Sequence, residues 1–163
     1  MRKKEAKKRS CLKPTPSVIV SMRDKNGKNN ALTVGYCCNC SFDPPMIMVG
    51  ITPTRYSYHI VNETNAFVVN LTTKENQALI DYMGSVSGRD KDKFKEMNVE
   101  IEEAINIDAP MIKDCPVNIE CLVVDSVHTG SHVMFIAKVL YVHAREDLLK
   151  EDGSIDNSKI RFL

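Results

Sequence analysis

Apolar stretches rich in β-branched residues recur along the chain and are separated by short polar segments. This pattern is typical of β-strands joined by turns. Between the first two stretches, Asp24-Lys25-Asn26-Gly27 has the composition of a hairpin turn. The pattern predicts strands over residues 17–23, 31–36, 46–52, 66–72, 99–105, 117–127 and 133–145.

Helical spacing of apolar residues occurs in three shorter segments. Thr72 and Glu75 have the spacing of a capping box, in which side chains satisfy free amides at the start of a helix. Gly84 follows an apolar stripe and would end this helix, because glycine readily adopts the conformation of a helix C-cap. Helices are therefore predicted over residues 55–63, from residue 72 to residue 84, and from Asp90 onward.

Predicted strands outnumber predicted helices, and hairpin-length connections outnumber helical crossovers. This pattern favours an antiparallel barrel with a few peripheral helices over a doubly wound parallel sheet. The chain has 163 residues, which is the size of one domain. We therefore expect a basic tail over residues 1–13, followed by a single domain over residues 14–163.

The charges are unevenly distributed, although the formal net charge is only +1. Residues 1–10 hold six Lys/Arg and one Glu, a net charge of +5, whereas the other 153 residues hold 16 Lys/Arg and 20 Asp/Glu, a net charge of −4. Such a tip can serve as a nucleic-acid arm or a targeting patch. Nucleic acid is the less favoured partner, because no interleaved aromatic and basic residues follow and the body is acidic. The sequence favours a solubilising lead-in.

Several classes of protein are disfavoured by missing sequence features. No apolar run approaches the length of a membrane span, and the N-terminus lacks an apolar secretory region. We therefore expect no membrane partner and a cytoplasmic location, where the six cysteines would stay reduced. Neither a phosphate-binding P-loop, nor a Rossmann glycine motif, nor the serine-hydrolase G-x-S-x-G is present.

A cysteine-rich segment is the first candidate for chemistry. Cys37 and Cys40 form a C-x-x-C with Cys38 inside it, but a structural zinc site needs four ligands. Cys115 and Cys121 are six residues apart, and two prolines follow the motif where a thioredoxin-like helix would have to begin. No metal is therefore expected, and the interpretation that the sequence favours is buried, inert thiols.

The four histidines, His59, His128, His132 and His143, are scattered along the chain. Taken singly, a histidine is more often a surface or satisfied core residue than a catalyst. His132 is the exception, because it follows Gly130 at a turn between two long predicted strands, where a side chain can face a pocket.

Five segments, in order and over residues 14–160, resemble the flavin reductase-like family of FMN-binding split-barrel proteins, which includes flavoredoxins. Each motif alone is weak, whereas the ordered set is fairly specific. The matching segments are Pro14-Thr15-Pro16; residues 24–33 (D-x-x-G-x-x-N-x-x-T); Ser41-Phe42-Asp43-Pro44-Pro45 followed by Arg55-Tyr56-Ser57-Tyr58; residues 87–94 (S-G-x-x-x-D-K-F); and Ala109-Pro110 followed by Ile119-Glu120-Cys121 and Gly130-Ser131-His132.

The resemblance implies a mainly β (α+β) fold, an antiparallel split β-barrel of the Greek-key type with a few short peripheral helices. It also implies bound FMN, with Arg55, Ser57 and Lys93 around the phosphate. A dianionic phosphate needs such cations and donors when it is partly buried. Tyr36 stands where flavoredoxin-like members often carry Trp. The residues that the resemblance places along the isoalloxazine ring are Asn30, Ala31, Leu32, Thr33, Tyr36, Asn39, Cys40 and Ser41.

The function implied by the resemblance is hydride transfer from NADH or NADPH to the flavin, followed by electron delivery to an acceptor. His132 would border the flavin as the catalytic residue and help to place the nicotinamide or a proton. The resemblance also implies a homodimer with the flavin at its interface. Two alternatives stay open: an electron carrier between redox proteins, and a non-flavin binding module that uses the basic tail.

Overall fold

The computed structural model describes all 163 residues and is dominated by one seven-stranded antiparallel sheet. Its strands lie in the order β2-β1-β5-β8-β9-β4-β3, so neighbours in space are often distant in sequence, as in a Greek key. A separate two-stranded ribbon pairs β6 with β7. The strands are β1 (Val18–Arg23), β2 (Asn29–Val34), β3 (Cys37–Ser41), β4 (Met46–Ile51), β5 (Ala66–Leu71), β6 (Ile101–Glu103), β7 (Pro110–Ile112), β8 (Val117–Thr129) and β9 (His132–Ala144).

Three α-helices lie outside the strand ladder: α1 (Tyr56–Thr64), α2 (Gln77–Ser85) and α3 (Lys93–Glu96). Two 3₁₀ turns, Lys74–Asn76 and Glu146–Leu148, complete the regular structure. None of the helices is long and apolar enough to cross a membrane. The predicted class, a mainly β antiparallel barrel with few peripheral helices, is therefore confirmed.

The two larger of three hydrophobic clusters lie on the two faces of the sheet. The larger one packs the inner faces of the strands against α1, with Phe67 and Phe135 fully buried at its centre. The smaller one packs Ile19 of β1 under Ile80 of α2 and Phe94 of α3. Alternate residues of β1 enter different clusters because side chains along a strand point to opposite faces. This second cluster holds α2 and α3 in place beside β2.

The first hairpin follows the predicted turn. The Asp24 carboxylate accepts the backbone amides of Asn26 at 2.9 Å and Lys28 at 2.8 Å. Gly27 has a φ of +82°, a conformation that costs little without a side chain. The turn fixes the register of β1 with β2, in which Met22 lies opposite Asn30.

Helix boundaries differ from the prediction where local hydrogen bonds compete. Thr72 does not cap a helix, since its hydroxyl donates to the carbonyl oxygen of Ser17. The capping box is one residue later, where the Oδ1 atom of Asn76 accepts the amide of Thr73 at 2.9 Å. Gly84 lies within α2, which ends one residue further on. Asp90 precedes the third helix, whose N-cap is Asp92.

The predicted strand at 99–105 is shortened to β6 because the following loop turns toward β8. There the buried Glu120 carboxylate accepts the amides of Ile105 and Asn106, both at 2.8 Å, and contacts Nε2 of His143 at 2.6 Å. Burial opposes ionisation of Glu120, but these hydrogen bonds hold its pKa below the ordinary value. This cluster therefore has a structural role, connecting the 105–106 loop to β8 and β9.

Candidate active site

A polar cavity of about 430 Å³ lies between the start of α1, the end of α2 and the loop that leads to α3. Its walls carry three cationic side chains and several hydroxyl groups, whereas Asp90 is its one carboxylate. The cations are Arg55, Arg89 and Lys93, and the hydroxyl groups include those of Thr52, Thr54, Ser57 and Ser87. Such a lining suits a compact anion rather than an apolar ligand.

Lys93 is the buried cation of this cavity, with only 3% of its surface exposed. Its Nζ atom donates to the carbonyl oxygens of Met83 at 3.1 Å and Val86 at 3.0 Å. An ammonium group has three donors, so one is left for a ligand. Burial, with a further contribution from the Arg55 guanidinium, lowers the pKa of Lys93 to about 8. A bound anion would offset both effects and favour the protonated lysine.

Arg55 is the N-cap residue of α1 and lies exposed at the rim of the cavity. Its Nη1 atom is 3.5 Å from the carbonyl oxygen of Gly84, so the side chain reaches toward the end of α2. No side chain caps the start of α1. The free amides at that end and the positive end of the helix dipole therefore add to the cationic field of Arg55.

Two buried polar side chains lie behind this rim. The Nδ2 atom of Asn30 donates to the Oγ atom of Ser57 at 2.8 Å, so the Ser57 hydroxyl hydrogen is left to point at another acceptor. The Oδ1 atom of Asn30 is the only buried side-chain polar atom without a hydrogen-bond partner. It lies against Gly88, where a Cβ atom would come within 2.1 Å of it. Asn30 thus fixes Ser57 as a donor and requires glycine at position 88.

An aromatic pair lies beside the C-terminal end of β4, next to Thr52 of the cavity wall. The rings of Tyr36 and His132 meet edge to face with centroids 4.7 Å apart, and Oγ of Ser131 is 2.8 Å from Nδ1 of His132. The Gly50 amide donates to the carbonyl oxygen of Tyr36 at 2.8 Å. Thr52, which lines the cavity, follows Gly50 by two residues, and an extended chain rises only about 3.3 Å per residue. The aromatic pair and the anion cavity are therefore neighbours.

Some of the residues predicted to line the isoalloxazine ring do not point into the cavity or toward the Tyr36–His132 pair. Leu32 lines the cavity, whereas Ala31 packs in the cluster under α2 and the Thr33 hydroxyl donates to the carbonyl of Ile80. Their side chains thus face α2 and not the cavity. Asn39, Cys40 and Ser41 line a separate open hollow at the other end of β4.

The prediction of buried thiols is wrong for two members of the cysteine-rich segment. This segment forms β3, an edge strand missed by the sequence analysis, and Cys38 and Cys40 are exposed on it. Cys37 is half-buried, and burial raises its pKa to about 12. A strand cannot provide the helix start that a thioredoxin-like motif needs. The structure contains no group of three or more potential metal-ligating side chains.

Several cavity residues received no site role from the sequence, although residues 87–94 were matched as a family segment. Ser87, Gly88 and Arg89 form the wall opposite α1, and Lys28 supports that wall by donating to the Gly88 carbonyl at 2.8 Å. Lys28 also lies over the ring of Tyr56, 5.5 Å from its centroid. The sequence signal for this wall was a loop of small residues with one cation, Arg89, between two predicted helices. The loop forms part of the cavity only through long-range packing, which a local pattern does not show.

Comparison with protein families and curated proteins identifies the relatives of this chain. A family model described as "Flavin reductase like domain" matches residues 11–161. A protein of Archaeoglobus fulgidus is 32% identical over 115 residues, which cover 71% of this chain and 65% of that protein. The chain therefore spans less than two thirds of this relative. An NADH:riboflavin 5'-phosphate oxidoreductase of Streptomyces pristinaespiralis is 24% identical over 72% of this chain and 64% of its own length.

Solved structures show the same fold. Flavoredoxin of Desulfovibrio vulgaris (Miyazaki F) superposes with a TM-score of 0.90 and 27% identity over 97% of this chain and 85% of its own. A flavoredoxin from Methanosarcina acetivorans superposes with a TM-score of 0.88 and 28% identity over 98% and 83%. The family model covers nearly the whole chain, and the superposed structures share its fold. The chain belongs to the flavin reductase-like family and has its split-barrel fold.

Proposed function

We propose that this protein is an FMN-dependent oxidoreductase that takes a hydride from NADH or NADPH and passes the electrons to an acceptor. The observation that carries the proposal is the cavity at the start of α1. It has three cations, a single carboxylate and the Ser57 hydroxyl, which accepts from Asn30 and so can donate to a ligand. A phosphate monoester carries nearly two negative charges near neutral pH, and its oxygens match this set of donors.

The residues present fit the phosphate of FMN. Lys93 offers its third donor from a buried position, Ser57 offers a hydroxyl hydrogen, and Arg55 and Arg89 offer guanidinium donors at the rim. The Tyr36 and His132 rings, beyond the end of β4, would then lie toward the isoalloxazine ring. When bound, the flavin supplies the hydride acceptor and the store of electrons.

The surroundings of His132 support a role in orienting the nicotinamide or holding a proton. Its Nδ1 atom contacts Ser131, and its ring leans on Tyr36, so its orientation is restricted while it stays partly exposed. Its ring nitrogens can donate or accept a hydrogen bond from this position. The relative named as an NADH:riboflavin 5'-phosphate oxidoreductase supports NADH as a donor.

An electron carrier that exchanges electrons only with partner proteins is the second candidate. The superposition with two flavoredoxins favours this candidate. The two functions differ in the source of electrons, since the reductase accepts a hydride from a free dinucleotide and the carrier does not.

A homodimer with the flavin at its interface forms part of the proposal. Apolar side chains are exposed on β8 and β9, although the inward side of β9 is buried. The exposed ones are Leu122 (40%), Val124 (53%), Val127 (47%), Tyr141 (48%) and Val142 (46%). A second copy would cover them. Sedimentation equilibrium should give twice the mass of one 18.3 kDa chain, and a monomer would remove this part of the proposal.

The direct test is anaerobic mixing of the FMN-loaded protein with NADH or NADPH. Rapid loss of the visible flavin absorbance with either dinucleotide supports the reductase. If neither dinucleotide bleaches the yellow protein but a reduced carrier protein bleaches it, the electron carrier is supported. Colourless protein that cannot be loaded with FMN contradicts both. The Arg55→Ala/Lys93→Ala double variant should bind FMN more weakly, and unaltered affinity would refute the phosphate assignment.

A further inference from the structure

The N-terminal segment, residues 1–10, is a strongly cationic and fully exposed feature that the proposed chemistry does not use. It holds six Lys/Arg and one Glu, and every one of these residues is exposed. It has no helix or strand of its own, since regular structure begins at Val18. The rest of the chain has a net charge of −4, so this segment and the body have opposite signs.

The segment ends beside the candidate active site. Oγ of Ser10 is 3.1 Å from the phenolic oxygen of Tyr36, and the Tyr36 ring packs on His132. Tyr36 is itself 48% exposed, so the place where the segment meets the body is also a place that a partner can reach. Arg9, the last positive charge of the segment, is therefore next in sequence to the residue that contacts Tyr36.

We propose that residues 1–10 form an electrostatic docking arm that brings a small acidic electron-transfer protein to the Tyr36–His132 end of the site. This inference rests on the proposed function and names the class of its acceptor. The rest of the chain has a net charge of −4, whereas the arm carries +5 beside the Tyr36–His132 pair, so the arm adds attraction for an acidic partner at that end. Complementary charge of this kind raises association rates by roughly 10- to 1,000-fold and is weakened by salt.

The electron balance defines what the partner does. Each hydride taken from NAD(P)H brings two electrons and one proton; the electrons reduce two molecules of a one-electron acceptor in succession, and the proton goes to water. The arm takes no part in this chemistry. Its effect is on the encounter, so it should change the second-order rate constant at low salt and not the rate at which NAD(P)H reduces the flavin.

The experiment compares two triple variants of the FMN-loaded full chain that have the same net charge. Lys3→Gln/Lys4→Gln/Lys7→Gln removes charges from the arm. The matched control removes three exposed lysines elsewhere, by Lys74→Gln/Lys95→Gln/Lys150→Gln. Either triple changes the formal charge from +1 to −2. The acceptors are an acidic rubredoxin, a basic cytochrome c and the neutral quinone menadione, and each rate is divided by the menadione rate of the same variant.

We expect the arm variant to lose at least about tenfold of its relative rate with rubredoxin at low salt, in line with electrostatic steering. The control variant should lose much less, and high salt should abolish the difference between them. The relative rate with cytochrome c should not fall in the arm variant, because that acceptor has the opposite charge.

Two results would overturn the inference. One is an equal loss in both variants, which would show an effect of overall charge. The other is an unchanged rubredoxin rate in the arm variant. If that unchanged rate is accompanied by a lost affinity for a single-stranded oligonucleotide, the arm is a nucleic-acid site instead. Failure of the proposed function is distinguishable, because flavin that NADH and NADPH do not bleach gives no menadione rate in any variant.

Discussion

The titration of Lys93 should give ligand binding in the cationic cavity a measurable pH dependence. Burial, together with the nearby Arg55 guanidinium, lowers the pKa of Lys93 to about 8 in the free protein. A bound phosphate dianion would favour the ammonium form and raise this pKa again. FMN binding should therefore be strongest below pH 8 and should weaken as the pH rises through that value, because binding must then restore a proton to Lys93.

The size of the effect follows from the fraction of free protein in which Lys93 is protonated. With a pKa of about 8, this fraction is about nine tenths at pH 7 and about one tenth at pH 9. If Lys93 stays protonated in the complex, the dissociation constant should rise about tenfold over this interval. The phosphate contributes little to the change, since its second pKa of about 6 lies below it.

The assay is fluorescence titration of FMN with flavin-free protein at several pH values. Riboflavin is the matched ligand, because it lacks the phosphate and should show no such decline. Lys93→Met should bind FMN weakly at every pH, whereas Lys93→Arg should remove the decline, because a guanidinium keeps its proton in this range. A wild-type affinity that is flat from pH 7 to pH 9, or a decline that riboflavin shares, would refute the reasoning.

Three further predictions concern neighbouring features. Gly88→Ala should weaken FMN binding by at least about tenfold with little loss of secondary structure, as measured by titration and circular dichroism. The new Cβ atom would lie 2.1 Å from the Oδ1 atom of Asn30 and displace that side chain from Ser57. A thiol reagent should modify Cys38 quickly, and the buried Cys115, whose pKa burial raises to about 12, only after unfolding; mass spectrometry of the native protein checks both. Glu120→Ala should lower the free energy of unfolding in urea by about 3 kcal/mol, because it leaves two amides and His143 without their acceptor.

The fold was readable from the sequence to the extent that its signals are local. β-branched runs and the Asp24–Gly27 turn predicted the first hairpin, and the strands 46–52 and 66–72 agree with β4 and β5 to within one residue. β3 was missed because cysteine and asparagine carry little strand preference and its pairing partner, β4, supplies the ladder. Helix ends were misplaced because side-chain hydrogen bonds of Thr72 and Asn76 decide them.

The site was predictable only in part, and the division has a physical reason. Arg55, Ser57 and Lys93 were identified because the resemblance marks them, and the structure brings all three to one cavity. The exposure of Cys38 and the packing of Ala31 against α2 depend on which face of each strand is covered. No local sequence pattern specifies this. Arg89, likewise, acquires a role only because α2 and α3 bring their connecting loop opposite α1.

The central claim is that this chain recognises FMN through its phosphate, and the comparison of FMN with riboflavin tests it most directly. Calorimetric titration of the flavin-free protein at pH 7 measures both affinities. Charge-assisted hydrogen bonds contribute about 1.5–3 kcal/mol each, so the donors of Lys93, Ser57 and Arg55 should favour FMN by at least about a hundredfold. Equal affinity for the two ligands, or no binding of either, would contradict the account.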